Sequence, residues 1–293
     1  NGTTAPTMLP VQVIGLTNPV SVSAGYKFSV ALMPNGTVMS WGTGSSGELG
    51  NGTNGFSYTP VQVTGLSNVT AISCGWNHTL ALKSDGTVWT WGFNSSGELG
   101  DGTSSNRYSP VRVLNVSNIV AVSGGDWHSS ALKSDGTVWK WGRNDVGQLG
   151  MGTTNSGANP LPAQIPGFSN VVKVAARDYH NIAVKVDGSV WMWGANDRGQ
   201  CGINTTNDVW SPVQVLGMGP RVALPLNAKK SAQAGNLDLS WNSNLGEYFG
   251  IEASTNLTSW SLMQSNILAT PPVNTVTIAV PAGGGGWFYR LRR

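Results

Sequence analysis

The sequence predicts an all-β protein, a β-propeller of four full repeats followed by a small β-sandwich. Three observations predict it. The stretch from Gly75 to Gly100 is written four times, with Trp41, Trp91, Trp141 and Trp193 marking steps of 50, 50 and 52 residues. Each period holds four short segments of strand character, and four strands in about fifty residues make one propeller blade. From about Arg221 the period stops and a different set of short apolar alternations begins. The domains are therefore expected at residues 1–220 and 221–293.

Within a period the elements follow from local chemistry. The alternation Thr87-Val88-Trp89-Thr90-Trp91 places every second side chain on one face, as a half-buried strand requires. Before it, Thr79-Leu80-Ala81-Leu82 is a run of apolar and β-branched types. The two are joined by Ser84-Asp85-Gly86-Thr87, which returns as Pro34-Asn35-Gly36-Thr37, Ser134-Asp135-Gly136-Thr137 and Val186-Asp187-Gly188-Ser189. An Asn-Gly or Asp-Gly dipeptide supplies the positive φ of a tight hairpin. An earlier strand, Val69 to Ser73, recurs as Val20 to Ser23, Ile119 to Ser123 and Val171 to Val174. A fourth, Pro60 to Val63, recurs as Pro10 to Val13, Pro110 to Val113, Pro162 to Ile165 and Pro212 to Val215. Its proline suits a sheet edge, where a missing N–H costs little.

That makes five strands of the last kind against four of the others. The opening Asn1-Gly2-Thr3 matches Asn51-Gly52-Thr53 and Asp101-Gly102-Thr103, so the chain starts in mid-period. The expectation is a ring that belongs to a longer propeller, is completed by another chain, or is left open with exposed edges.

These residues carry a resemblance. Pro-Val-x-Val, Gly-x-x-His-(Ser/Thr)-x-Ala-Leu, Asp-Gly-Thr-Val-x-x-Trp-Gly and Gly-(Glu/Gln)-Leu-Gly-x-Gly-Thr together resemble the regulator of chromosome condensation (RCC1-type) repeat over roughly residues 1 to 217. The resemblance implies a β-propeller, commonly seven-bladed. Members of that family inhibit β-lactamase through a propeller face, so it also implies a capacity for protein capture. Beyond Arg221, Leu237 to Trp241, Tyr248 to Ala253, Thr275 to Val280 and Trp287 to Leu291 read as strands between Gly, Asn and Pro turns. With Ser254 to Trp260 and the closing Phe288-Tyr289-Arg290-Leu291-Arg292, this part is similar to the fibronectin-like modules that end many large secreted bacterial proteins.

Composition narrows the function. Charged residues make up 11% of the chain against the usual quarter, while Gly, Asn, Ser and Thr abound, which suits a secreted or cell-surface protein. A net charge of +3 with no basic run beyond Lys229-Lys230 and Arg292-Arg293 gives nucleic acid nothing to hold. No apolar stretch reaches membrane-spanning length. Cys74 sits in a slot that Ala24 and Gly124 fill, and Cys201 replaces Leu49, Leu99 and Leu149, so both read as small buried side chains rather than a disulfide. Neither a metal site nor a cofactor is expected.

His78, His128 and His180 share one repeat position, filled by Phe28 in the first copy, and repetition favours a role in the blade over catalysis. The loop before the histidine carries one large aromatic per copy, Tyr26, Trp76, Trp127 or Tyr179, which would form a partial aromatic ring if these loops open near the axis. Asp126 and Asp178 share a slot there, with Arg177 adjacent. The expected site is thus Tyr26, Trp76, Trp127, Tyr179 and Arg177, with a protein or glycan as ligand. Two alternatives stand beside it: a carbohydrate-active hydrolase or lyase using Asp126 and Asp178, and a structural subunit whose blades form a homo-oligomer through open edges. Phe56, Tyr58, Arg107, Tyr108 and Trp210, in the long loops after each Trp-Gly, read as loop cores.

Overall fold

The structure is a computed structural model that describes residues 2–5 and 7–216 and, beyond them, the strands 227–230, 236–242, 248–254, 261–268, 273–279 and 288–292. The chain divides into two compact units, Asn1–Val215 and Leu216–Arg293, and the described elements are all β.

The first unit is an arc of four blades, each an antiparallel four-stranded sheet. Blade 1 is β1 (Ser21–Ala24), β2 (Phe28–Leu32), β3 (Val38–Gly42) and β4 (Ser57–Gln62). Blade 2 is β5 (Val69–Cys74), β6 (His78–Lys83), β7 (Val88–Gly92) and β8 (Arg107–Arg112). Blade 3 is β9 (Ile119–Gly124), β10 (His128–Lys133), β11 (Val138–Gly142) and β12 (Ala163–Gln164), and blade 4 is β13 (Val171–Arg177), β14 (His180–Lys185), β15 (Val190–Gly194) and β16 (Val209–Gln214). The proline-bearing strand is at the edge of every sheet.

Two expectations need correction. Pro10 to Val13 is not a strand but exposed coil, because no third strand of a preceding blade is present for it to pair with. Blade 3's edge strand shrinks to two residues: Pro160 and Pro162 flank it without N–H donors, and the preceding loop is held instead by a bridge between Asn144 and Asn155.

The hairpins work by a repeated device. Asp85 Oδ1 accepts from the Thr87 amide at 3.0 Å and the Thr87 hydroxyl at 2.6 Å, and Asn35, Asp135 and Asp187 do likewise. The glycine alone takes positive φ, 75° at Gly86. A second glycine is held more tightly. Gly92, at φ 105°, closes β7 so near the loop that a Cβ would lie 2.5 Å from the Asn77 carbonyl oxygen. Gly92→Ala is expected to cost about 2–4 kcal/mol from positive φ plus backbone collision. Urea unfolding measures it, and a loss below about 0.5 kcal/mol would mean the loop yields freely.

Blades are joined by contacts that recur from one to the next. Trp91 Nε1 donates to the Glu48 carbonyl of the preceding blade at 3.0 Å, Trp141 Nε1 to that of Glu98 at 2.7 Å, and Trp193 Nε1 to that of Gln148 at 3.1 Å. All three indoles are fully buried. Serines of the inner strands accept from the next blade's inner strand: Ser23 Oγ from Cys74 N, Ser73 Oγ from Gly124 N, and Ser123 Oγ from Ala176 N. Two histidines add a third link, described below. At the junction of blades 3 and 4, Lys140 is fully buried, its ammonium donating to Ser130 Oγ and Asn181 Oδ1, and burial holds its pKa well below the usual lysine range.

The Glu/Gln slot braces each loop beneath. Glu48 and Glu98 accept the amide two residues earlier, at 2.7 and 2.9 Å. Gln148 and Gln200 do the same and use their amide nitrogens to reach Asp145 and Asp197. Where the slot is Glu, the residue three before is Ser45 or Ser95 instead of Asp, so a second carboxylate never faces the first.

In the second unit, β17 (Asn227–Lys230), β18 (Asn236–Asn242) and β21 (Val273–Ala279) form one three-stranded sheet. The other is made by β19 (Tyr248–Ser254), β20 (Ser261–Leu268) and β22 (Phe288–Arg292). Leu239 and Ile278 from the first meet Ile251 and Tyr289 from the second in one apolar cluster. Sequence patterning found β18, β19, β21 and β22 but not β17 or β20; Val280, Trp287 and most of Ser254 to Trp260 lie outside the described residues.

Candidate functional site at the inner loops

The loops between the first and second strands of each blade converge at one end of the arc. They are tied by a main-chain ladder: Tyr26 N donates to Trp76 O at 2.8 Å, Trp76 N to Asp126 O at 3.3 Å, and Asp126 N to Asp178 O at 3.0 Å. Four residues at one repeat position are thereby held side by side by backbone alone. Their side chains, Tyr, Trp, Asp and Asp, are left free for other work.

Tyr26, Trp76, Asp126, Arg177 and Asp178 line a recess of about 390 Å³, floored by Ala24, Gly25, Cys74, Gly75 and Gly124. Tyr26 and Trp76 stack with ring centroids 4.2 Å apart and planes 14° from parallel. Lys27 Nζ lies 4.9 Å from the Tyr26 ring centre. Burial, and then the charge of Asp178, push the Asp126 carboxyl above its ordinary pKa, with Arg177 opposing. Asp178 adopts φ 49°, a conformation that Asp tolerates better than most side chains. The small floor is enforced, since a Cβ on Gly75 would fall 2.2 Å from the His78 ring and 2.3 Å from Gly125 O.

The continuous aromatic ring is not formed. Trp127 and Tyr179 stand one residue later than Tyr26 and Trp76, and they turn away to bridge neighbouring blades. Trp127 meets Phe93 edge to face at 5.3 Å, and Tyr179 receives the Arg143 guanidinium at 5.5 Å. Aligning the copies on the glycine before the loop, rather than on residue type, is the signal that would have separated the two slots. It also would have brought Asp126 and Asp178 into one recess with the aromatics.

The histidines lie behind the recess. His78 and His128 are buried, with Nε2 2.9 Å from Ser129 Oγ and 2.9 Å from Asn181 Oδ1 of the following blade. Ser129 Oγ already donates to Glu98 O, and the Asn181 amide nitrogen to Gln148 O, so each imidazole is the donor and carries its proton on Nε2. Burial keeps both neutral, pulling His78 down to about 4 and His128 well below the usual range. The cysteines are free thiols; Cys74 is only half-buried and forms part of the recess floor, a departure from its expected burial. Burial raises both thiols to about 11, which keeps them protonated and unreactive.

At the outer rim Phe56, Tyr58, Tyr108 and Trp210 are exposed rather than packed as loop cores. Their edge strands turn the Pro-Val side inward and these rings outward. Arg107 pairs with Asp101 at 2.6 Å. Among the described residues no group of three or more His, Cys, Asp or Glu converges as a metal site, and no helix is long and apolar enough to cross a membrane.

Comparison with known proteins places this architecture. The RCC1-like domain matches residues 1–236. The chain belongs to the RCC1-like domain family. Among solved structures, yeast RCC1 (Prp20) bound to Kap60 is 25% identical with a TM-score of 0.63, over 74% of this chain and 52% of that one. Human WBSCR16 is 25% identical with a TM-score of 0.61, over 67% and 52%. A curated relative, the secretion-regulating guanine nucleotide exchange factor of Bos taurus, is 35% identical over 57 residues, 20% of this chain and 12% of its own length. This RCC1-like chain thus spans about half the length of those solved structures.

Proposed function

We propose that the protein is a secreted or surface-displayed binding scaffold whose inner-loop recess captures a protein ligand. One observation carries the reading: a stacked Tyr26–Trp76 pair, open to solvent, beside Asp126, Arg177 and Asp178, on a backbone fixed by inter-blade hydrogen bonds. Aromatic and arginine anchors on a rigid frame are what protein hot spots use. Two acids against one arginine favour a basic side chain from the partner, and its arrival would relieve the crowding that lifts the Asp126 pKa. Family likeness supports it, since the yeast structure is a complex with Kap60 and a further Prp20p structure is described with binding to Gsp1p and histones. The C-terminal unit, read as a fibronectin-like sandwich, would attach the propeller at the cell surface.

A hydrolase reading rests on the same raised Asp126 beside Asp178, since a general acid needs such a shift. A titration separates the two. Arginine-containing peptides are expected to bind and to lose at least about tenfold in affinity in Trp76→Ala and in Asp126→Asn, each removing about 1.4 kcal/mol or more. Saturable glycan binding with turnover abolished in Asp126→Asn, and no peptide binding, would reverse the assignment.

A further inference from the structure

We propose that the two outer faces of the arc are halves of one docking surface, and that its occupant is a second copy of this chain. Blade 1 of each copy would seat on blade 4 of the other, closing an eight-bladed ring.

The argument starts from what the inner junctions use and what the end blades still hold. On its far face blade 4 carries His180 in register with His78 and His128, and the Gln200 carbonyl in register with those of Glu48, Glu98 and Gln148. Its Asp178 N–H is in register with the ladder donors Tyr26, Trp76 and Asp126. Blade 1 carries the matching halves. Ser29 stands where Thr79, Ser129 and Asn181 stand, Trp41 where Trp91, Trp141 and Trp193 stand, and the Tyr26 carbonyl where the ladder acceptors stand. Of the recurring links only the serine is missing, its slot being Ala175.

Apolar burial follows the same logic. Ile182 is 37% exposed, whereas Leu80 and Ser130 in its register are fully buried under the next blade. Ile72 packs against the apolar cluster of the preceding blade, while Val22 in its register is 67% exposed. Trp41 is half-buried where its three counterparts are sealed. A face that is apolar, flat and already equipped with donors set for a known acceptor pattern is complementary to that pattern, and this chain supplies both sides. Two head-to-tail junctions related by a two-fold axis close on themselves, and eight blades lie within the range that propellers adopt.

Sedimentation of the 293-residue chain from about 1 to 100 µM, a range in which modest protein junctions form, tests it. The expected species has twice the 30.7 kDa mass of one chain. Ile182→Glu and, separately, Val22→Glu should each halve that mass with circular dichroism unchanged, because both side chains are exposed in the single chain. Mixing the two variants should partly restore the dimer, since one junction in the mixed pair is then intact. A monomer at every concentration, a dimer indifferent to both substitutions, or no recovery on mixing would overturn the head-to-tail arrangement.

Discussion

Trp141→Ala is expected to lower the stability of the propeller unit by about 3–5 kcal/mol and its melting temperature by roughly 8–15 °C. The indole is fully buried between blades 2 and 3, and its N–H satisfies the Glu98 carbonyl at 2.7 Å. Removal leaves a large cavity and a buried acceptor without its donor. Trp41→Ala is the internal control. The same residue at the same repeat position, half-buried on an open face, should cost about 1–2 kcal/mol when measured at concentrations where the chain is single. Calorimetry on the two variants decides the matter. Equal losses would show that tryptophan stabilises each sheet from within, and the account of junctions given above would fall.

His78→Phe should make the protein less sensitive to acid by about 3 kcal/mol relative to the parent between pH 7.5 and 4. The sign follows from the protons. His78 has a pKa of about 4 when folded, against an ordinary 6.5 when unfolded. Between those values the unfolded chain binds more protons, so stability drops as pH falls through the window and the loss is complete near pH 4. Glu98 works in the opposite sense. Burial lifts it to about 7, one of its oxygens having no partner among the described residues, so its contribution improves as pH falls from 7 towards 4.5. The parent protein therefore hides part of the histidine effect, and the difference between parent and variant is the quantity to measure. Phenylalanine is a suitable replacement because Phe28 fills this slot in blade 1, and Ser129 Oγ keeps its bond to Glu98 O. Chemical denaturation at four or five pH values reads the difference; a gap that does not change with pH would mean His78 titrates normally.

Much of the fold was legible because its signals are short-range. Asp85-Gly86-Thr87 closes its hairpin with its own side chains, and the Trp spacing sets the blade count without reference to anything distant. What failed was non-local. Pro10 to Val13 has the composition of an edge strand, but a strand needs a partner that its composition cannot supply. The outer aromatics carried no mark of which side of β4, β8 and β16 faces inward. In the site, the residue types were found and their grouping was not. A single-residue offset separates Trp76, in the recess, from Trp127, wedged against Phe93. Residue type cannot report such an offset, whereas the backbone ladder fixes it.

That ladder divides the labour of heredity. Because Tyr26, Trp76, Asp126 and Asp178 are positioned by peptide groups alone, any side chain can occupy those places without disturbing how the blades join. The recess is spelled one letter per repeat. A gene that duplicates, deletes or reorders whole repeats therefore composes a new word there in a single recombination, with the frame carried along intact.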